Sequence, residues 1–265
     1  MRHLIPFLPK PPLVSVLRLS GMIAAGPRGT LSDAALAPLV ERAFRRGRPR
    51  AVALILNSPG GSPVQSSLIA ARIRRLADQH KLPVHAFVED VAASGGYWLA
   101  TAADDIWVDP VSVVGSIGVI AAGFGFHELI ARHGIERRVH TAGTSKSFLD
   151  PFRPERPEDV ARLDALIEPM HRVFIDQVKA RRGTRLAADR DLFNGDIWLG
   201  QGAVDVGLAD GVGHAVPRLK EIYGDKVRLV AYGPRRSLFQ RLAAEALTGA
   251  VDAAGERALR ARYGL

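Results

Sequence analysis

Ala51–Asn57 (AVALILN) is apolar until its last residue, and Ser58–Pro63 (SPGGSP) stops it. A strand without polar alternation is one covered on both faces, which is the habit of parallel sheets. Leu68, Ile69, Ile73 and Leu76 follow at helical spacing, so a helix returns over the sheet. The order then repeats. Pro83–Glu89 (PVHAFVE) is a second buried run, VAASGG breaks it, GGYWLATAA suits a helix start, and Asp105–Asp109 (DIWVD) is a third, short strand. Ahead of them LVSVLRLSGMI, from Leu13, reads as the first strand. This alternation predicts an α/β fold with a mostly parallel sheet. Crossovers in such sheets are right-handed, and sites form beyond the carboxyl ends of the strands. The turns NSPGG and VAASGG both follow strands, so they are candidates to lie side by side at one site.

The remaining chain continues the pattern. Ile135–His140 (IERRVH) reads as a strand leading into TAGTSKSFLDPF. Pro157–Gly183 is a long amphipathic helix, acidic at its start and basic at its end. Leu192–Gly213 is a glycine-punctuated loop, helix and turn, and a last helical pattern follows Lys226–Arg236. The organisation expected is one domain over 13–232 and a C-terminal helical tail over 233–265.

Composition removes several function classes. The 265 residues contain no cysteine, which excludes disulfides, zinc–thiolate sites and thiol nucleophiles. The net charge of +9 raises nucleic acid or anionic lipid as partners. Aromatics are only 6%, however, and no basic stretch is interleaved with stacking residues, so no nucleic-acid partner is expected. The densest basic cluster, Glu41–Arg50, reads as a solvated helix end where arginines suit the dipole. A membrane-spanning helix needs about 20 mostly apolar residues. Lys10 and Pro6, Pro9, Pro11 and Pro12 interrupt the N-terminal segment, and signal-peptide cleavage there would remove the first strand. The expectation is a chain without transmembrane helix or signal peptide.

Ser94, between alanines and a glycine pair, is a candidate nucleophile at a strand end, or a small residue packed at a helix start. A serine hydroxyl needs a base. None of the eight histidines sits in a context suggesting a catalytic turn; His85 falls within a strand pattern, and His80, His133 and His171 fall on helix surfaces or ends. Lys146, in AGTSKSFLDPF, has small and hydroxyl neighbours, but a base lysine must be neutral near pH 7 and therefore buried. A surface lysine in a turn is the plainer reading of the same residues. Gly60, Gly61 and Gly95 offer backbone N–H groups for an oxyanion, or simply ordinary turns. The G-x-x-x-x-G-K-[ST] pattern is absent, and GFGFHEL is no dinucleotide fingerprint.

Five segments, in order, resemble the signal peptide peptidase A/protease IV family of serine peptidases. They are LNSPGGS (Leu56–Ser62), VEDVAASGGYWLATAADDIWVDP (Val88–Pro110), VGSIGVI (Val114–Ile120), AGTSKSFLDPF (Ala142–Phe152) and WLGQGAVDVGLADGVG (Trp198–Gly213). The resemblance implies a Clp protease/crotonase-like core of β-β-α units. It implies Ser94 as nucleophile, Lys146 as general base, Ser116 as the hydroxyl that orients the lysine, and Gly60, Gly61 and Gly95 around the oxyanion. No metal, nucleotide or other cofactor is needed. The substrate implied is a peptide or unfolded protein, such as a cleaved signal peptide. The assembly implied is a ring- or dome-shaped homo-oligomer, in which serine and lysine can come from neighbouring subunits. Family members typically carry an N-terminal membrane anchor, and this sequence shows none. A cytoplasmic enzyme is therefore expected, with peripheral contact to anionic lipid of the inner membrane through its basic charge. Three rivals share the core: a crotonase-type acyl-CoA enzyme, a Clp-type subunit with a histidine base, and a non-catalytic scaffold.

Overall fold

The computed structural model describes residues 11–26, 31–143 and 146–233. The tail expected to be helical over 233–265 lies, apart from Gly233, outside the described residues. The elements run β1 (Leu13–Ser20), α1 (Asp33–Arg45), β2 (Ala51–Ser58), α2 (Pro63–His80), β3 (Val84–Ala93), α3 (Gly95–Ala100), β4 (Asp105–Val108), β5 (Val113–Gly115), α4 (His127–Arg132), α5 (Pro157–Arg182), β6 (Ile197–Leu199), α6 (Gly200–Asp205), β7 (Gly211–Val212), α7 (Ala215–Tyr223) and β8 (Arg228–Tyr232).

The strands form one sheet in the order β6-β5-β3-β2-β1-β8, with β4 pairing β3 and β7. All pairs are parallel except β5–β6. The α/β class with a mostly parallel sheet is thus the one observed. The unbroken apolar run of β2 has the expected cause, since helices cover both faces. Leu54 and Leu56 face a core shared with Phe44 of α1, Ile69 of α2, Tyr97 of α3 and Phe174 of α5. Ala51, Ala53 and Ile55 face Leu219 of α7 on the other side. Burying each large side chain contributes about 1.5–3 kcal/mol.

Local signals set the helix ends. Ser62 accepts the Gln65 N–H and Pro63 opens α2, while Lys81 closes it in the left-handed region. α1 and α2 are clamped by Arg72, whose Nε and Nη2 each bond an Asp33 carboxylate oxygen at 2.7 Å. These bonds hold the Asp33 carboxyl below the usual range, against the smaller opposing effect of burial. A group so depressed adds stability above its unfolded pKa of about 4 and loses it as pH falls through the lower folded value. Asp33→Ala should cost about 1–2 kcal/mol at pH 7 and much less in acid. Thermal melts of both proteins across that range measure it.

Two expectations are corrected. Residues 135–140 form no strand: they carry no ladder partner, lie mostly exposed, and Arg138 bonds Glu136 within the segment. The second run does not stop at Glu89 but continues to Ala93 as β3, because β5 takes over its edge there. No helix among the described residues is long and apolar enough to cross a membrane.

Candidate active site

Ser94 follows the last residue of β3 and directly precedes α3. Its φ of 51° and ψ of −123° lie where L residues are rarely found. Two backbone bonds hold it there: its N–H donates to the Gly115 carbonyl at 2.8 Å, and its carbonyl accepts the Trp98 N–H at 3.0 Å. The side chain takes no part in capping α3, so this strained turn uses only the backbone. The hydroxyl is half-buried and makes no hydrogen bond among the described residues.

The glycine turn after β2 packs directly against it. Gly60 has a φ of +103°, and a Cβ there would meet the Ala93 carbonyl oxygen and the Gly95 nitrogen at 2.8 Å and the Ser94 Cβ at 2.9 Å. Gly61, at φ +138°, has no room for a Cβ because the Ile23 carbonyl occupies that place. A Cβ on Gly95 would lie 3.4 Å from the Gly61 nitrogen. The three glycines therefore form one backbone-lined wall beside Ser94. Their N–H groups differ. Gly60 donates to Ser58 Oγ at 3.2 Å. The N–H groups of Gly61 and Gly95 donate to no acceptor among the described residues. An amide pair left open beside a serine, one at a helix start, is a site for negative charge.

Ser116 follows Gly115, the residue whose carbonyl holds Ser94. It has a φ of 50°, and its N–H donates to the Asp196 carbonyl at 2.7 Å. Lys146 is exposed in a turn, and its N–H donates to the Gly143 carbonyl at 3.2 Å. Among the described residues no hydrogen bond joins it to Ser94 or Ser116. The chain thus gathers Ser94, Gly60, Gly61, Gly95 and, through Gly115, Ser116.

Two neighbours carried no functional signal in the sequence. Ser58 sits inside the SPGG motif, and its role in holding Gly60 could have been sought there. His171 of α5 reaches the Ile117 carbonyl at 3.1 Å. A carbonyl only accepts, so Nε2 carries the proton. This contact depends on how α5 crosses the sheet, guided by Phe174 stacking on Trp98 at 5.1 Å. A cavity of about 520 Å³ lined by Phe87, Glu89, Asp109 and His214 opens on the α7 face and is separate from this chemistry. At its rim the Val111 N–H and His214 hold the Asp109 carboxyl below its ordinary range. Among the described residues, no three His, Cys, Asp or Glu side chains converge to hold a metal ion.

A serine on a strained strand-to-helix turn, faced by open backbone amides beyond the carboxyl ends of two inner strands of a mostly parallel sheet, is an arrangement suited to acyl transfer. The chain belongs to peptidase family S49, whose model matches residues 76–222. That range includes Ser94, Ser116 and Lys146; the glycine turn lies ahead of it. The chain is 31% identical over 207 residues to the chloroplastic serine protease SPPA of Arabidopsis thaliana, covering 76% of this chain and 30% of that protein. It is 48% identical over 271 residues to a Brucella melitensis protein named Na(+)/H(+) antiporter NhaA, covering 95% of this chain and 37% of that protein. The chain therefore spans about a third of the length of these relatives. Among solved structures, the 1510-N membrane-bound stomatin-specific protease superposes with a TM-score of 0.52 at 17% identity, over 86% of this chain and all of the other. That likeness concerns the fold.

Proposed function

We infer that this chain is a serine endopeptidase working through a Ser94–Lys146 dyad. The observation that carries the reading is the meeting of Ser94 with the open N–H groups of Gly61 and Gly95. Neutral Lys146 takes the Ser94 proton as Oγ attacks a peptide carbonyl. The two amides stabilise the oxyanion, each such donor contributing about 3 kcal/mol to the transition state. Protonated Lys146 gives its proton to the leaving amine, and water then repeats the sequence on the acyl-enzyme. Ser116 orients the lysine. Gly60 shapes the turn, since its own N–H is committed to Ser58.

Lys146 is exposed in the single chain, whereas a base lysine requires burial. Assembly of several copies would supply it. Ile120, Phe124, Leu129 and Ile135 stand exposed on the same part of the chain, as do Leu166, Met170 and Val173 on α5. These favour a homo-oligomer, in a ring or dome, with the lysine of one copy serving the serine of the next.

The substrate proposed is an extended peptide, such as a cleaved signal peptide or a fragment of a membrane or cytoplasmic protein. A lysine-to-alanine variant of the stomatin-specific protease is bound to a substrate peptide, and the shared fold supports the same class here. The location proposed is cytoplasmic, with peripheral contact to anionic lipid. The antiporter name belongs to a protein of which this chain matches 37%, and the present reading rests on Ser94 instead.

A serine-directed fluorophosphonate should label wild type at Ser94 and leave Ser94→Ala unlabelled. The acyl-CoA reading predicts the opposite result: binding of CoA thioesters, with no labelling. Mass spectrometry of the modified peptide separates the two.

A further inference from the structure

β3 meets the glycine turn in register only because it carries two extra residues. Val52 pairs with Val84 and Leu56 with Val88, but Ser58 pairs with Ala92. Over two residues of β2, β3 therefore advances four. Carried on, the second register sets Gly60 level with Ser94 and Gly61 level with Gly95. The contacts agree: a Cβ on Gly60 would meet the Ser94 Cβ at 2.9 Å, and one on Gly95 would meet the Gly61 nitrogen at 3.4 Å. The first register would set Ala92 against Gly60 and carry Ser94 two residues, about 7 Å, along the strand. An even shift keeps each side chain on its face, so β3 stays packed while the strand end moves.

The extra residues fall where β3 changes neighbours. Its last pair with β4 is Val88–Val108 and its first with β5 is Val91–Val113. Carbonyls in such a gap lose their ladder partners. Ser112, fully buried, fills the gap. Its hydroxyl reaches the Glu89 carbonyl at 2.5 Å and the Val88 carbonyl at 3.1 Å, and it accepts the Asp109 N–H at 2.9 Å. Its backbone is fixed in turn, since its N–H donates to the Asp109 carbonyl at 3.1 Å and its carbonyl accepts the Gly200 N–H at 3.0 Å. On the other flank Asn57 Nδ2 donates to Asp90 Oδ2 at 2.6 Å.

We propose that the Glu89–Asp90 bulge, pinned by Ser112 and by the Asn57–Asp90 hydrogen bond, sets the register that brings Ser94 to the Gly61 and Gly95 amides. Ser112, Asn57 and Asp90 are then positioning residues; none touches the reacting atoms. The proposal rests on the reading of Ser94 as nucleophile.

The test compares fluorophosphonate acylation rates and steady-state peptide hydrolysis for wild type, Ser112→Ala, Asp90→Ala and Asp90→Asn, each checked for folding by circular dichroism. Small displacements of reacting groups cost about 10²-fold, so Ser112→Ala should lower kcat and the acylation rate by about that factor, with KM within about twofold. Asp90→Ala should lose about tenfold. Asp90→Asn should keep wild-type rates, because its amide oxygen still accepts the Asn57 N–H. Asp90 is exposed, so its variants decide the matter even where Ser112→Ala does not fold. Equal rates for Asp90→Ala and Asp90→Asn, or wild-type rates in folded Ser112→Ala, overturn the proposal. A wild type that does not label at Ser94 overturns the nucleophile reading itself, and this inference with it.

Discussion

Ser94→Ala and Lys146→Ala proteins, each inert alone, should regain peptide hydrolysis when they are co-expressed. Removing either member of a nucleophile–base pair costs about 10⁴- to 10⁶-fold in kcat, since the remaining partner has nothing to act with. The reason to expect recovery is the placement of Lys146. Exposed on a turn, it lacks the burial that a base lysine requires. The apolar residues that flank its segment, Phe124 and Ile135 among them, give a second copy a surface on which to bury it. In a ring built from head-to-tail contacts, the serine of one copy would face the lysine of its neighbour. Random mixing then unites an intact serine with an intact lysine at about a quarter of the contacts, so about a quarter of wild-type activity should return. An inert mixture beside an active wild type means that both groups act within one chain. Near-normal activity of Lys146→Ala alone means that another group is the base.

Much of this site was legible because its signals are local. β2 declares itself through an unbroken apolar run, and the same run fixes where the glycine turn must begin. Ser94 is marked by its neighbours, since a Cβ on Gly60 would meet the Ser94 Cβ and one on Gly96 would meet the Ser58 carbonyl. What could not be read depends on pairing between distant strands. The two residues added to β3 at Glu89–Asp90 look like ordinary strand residues until β5 replaces β4 beside them. Ser112 has the composition of a turn residue, and its burial follows only from that exchange. The opposite error occurred at 135–140, where β-prone residues have no strand to pair with. Periodicity reports which face a residue could offer, but a strand exists only where a partner takes its hydrogen bonds. The tie between His171 and Ile117 lay out of reach for the same reason, because it is made by the crossing of α5 over the sheet.

Replacing Gly61 and Gly95 with alanine should damage the site in two different ways. At Gly61 the added Cβ collides with the Ile23 carbonyl, which is backbone, and the φ of +138° disfavours any L side chain. The turn must shift, and the amide moves with it. Ile23 N–H bonds the Gly60 carbonyl at 2.8 Å and Ser62 N–H bonds the Ile23 carbonyl at 2.7 Å, so the shift pulls on both ends of the same bridge. Gly61→Ala should therefore lose about 10²- to 10³-fold in kcat, the usual effect of removing one oxyanion donor, and should melt at a lower temperature as well. At Gly95 the nearest obstacle is instead a side-chain atom, Ser66 Oγ, which bonds the Ser62 carbonyl at 2.9 Å. Alanine suits the first turn of a helix, so the fold tolerates it once that hydroxyl is gone. Combining Gly95→Ala with Ser66→Ala should thus recover most of the lost kcat, whereas Ser66→Ala should recover nothing when combined with Gly61→Ala. Steady-state kinetics and thermal melts on the five proteins, wild type included, test this difference. If Ser66→Ala rescues neither glycine variant, the Gly95 amide does not serve the oxyanion in the way the packing of α3 against the glycine turn implies.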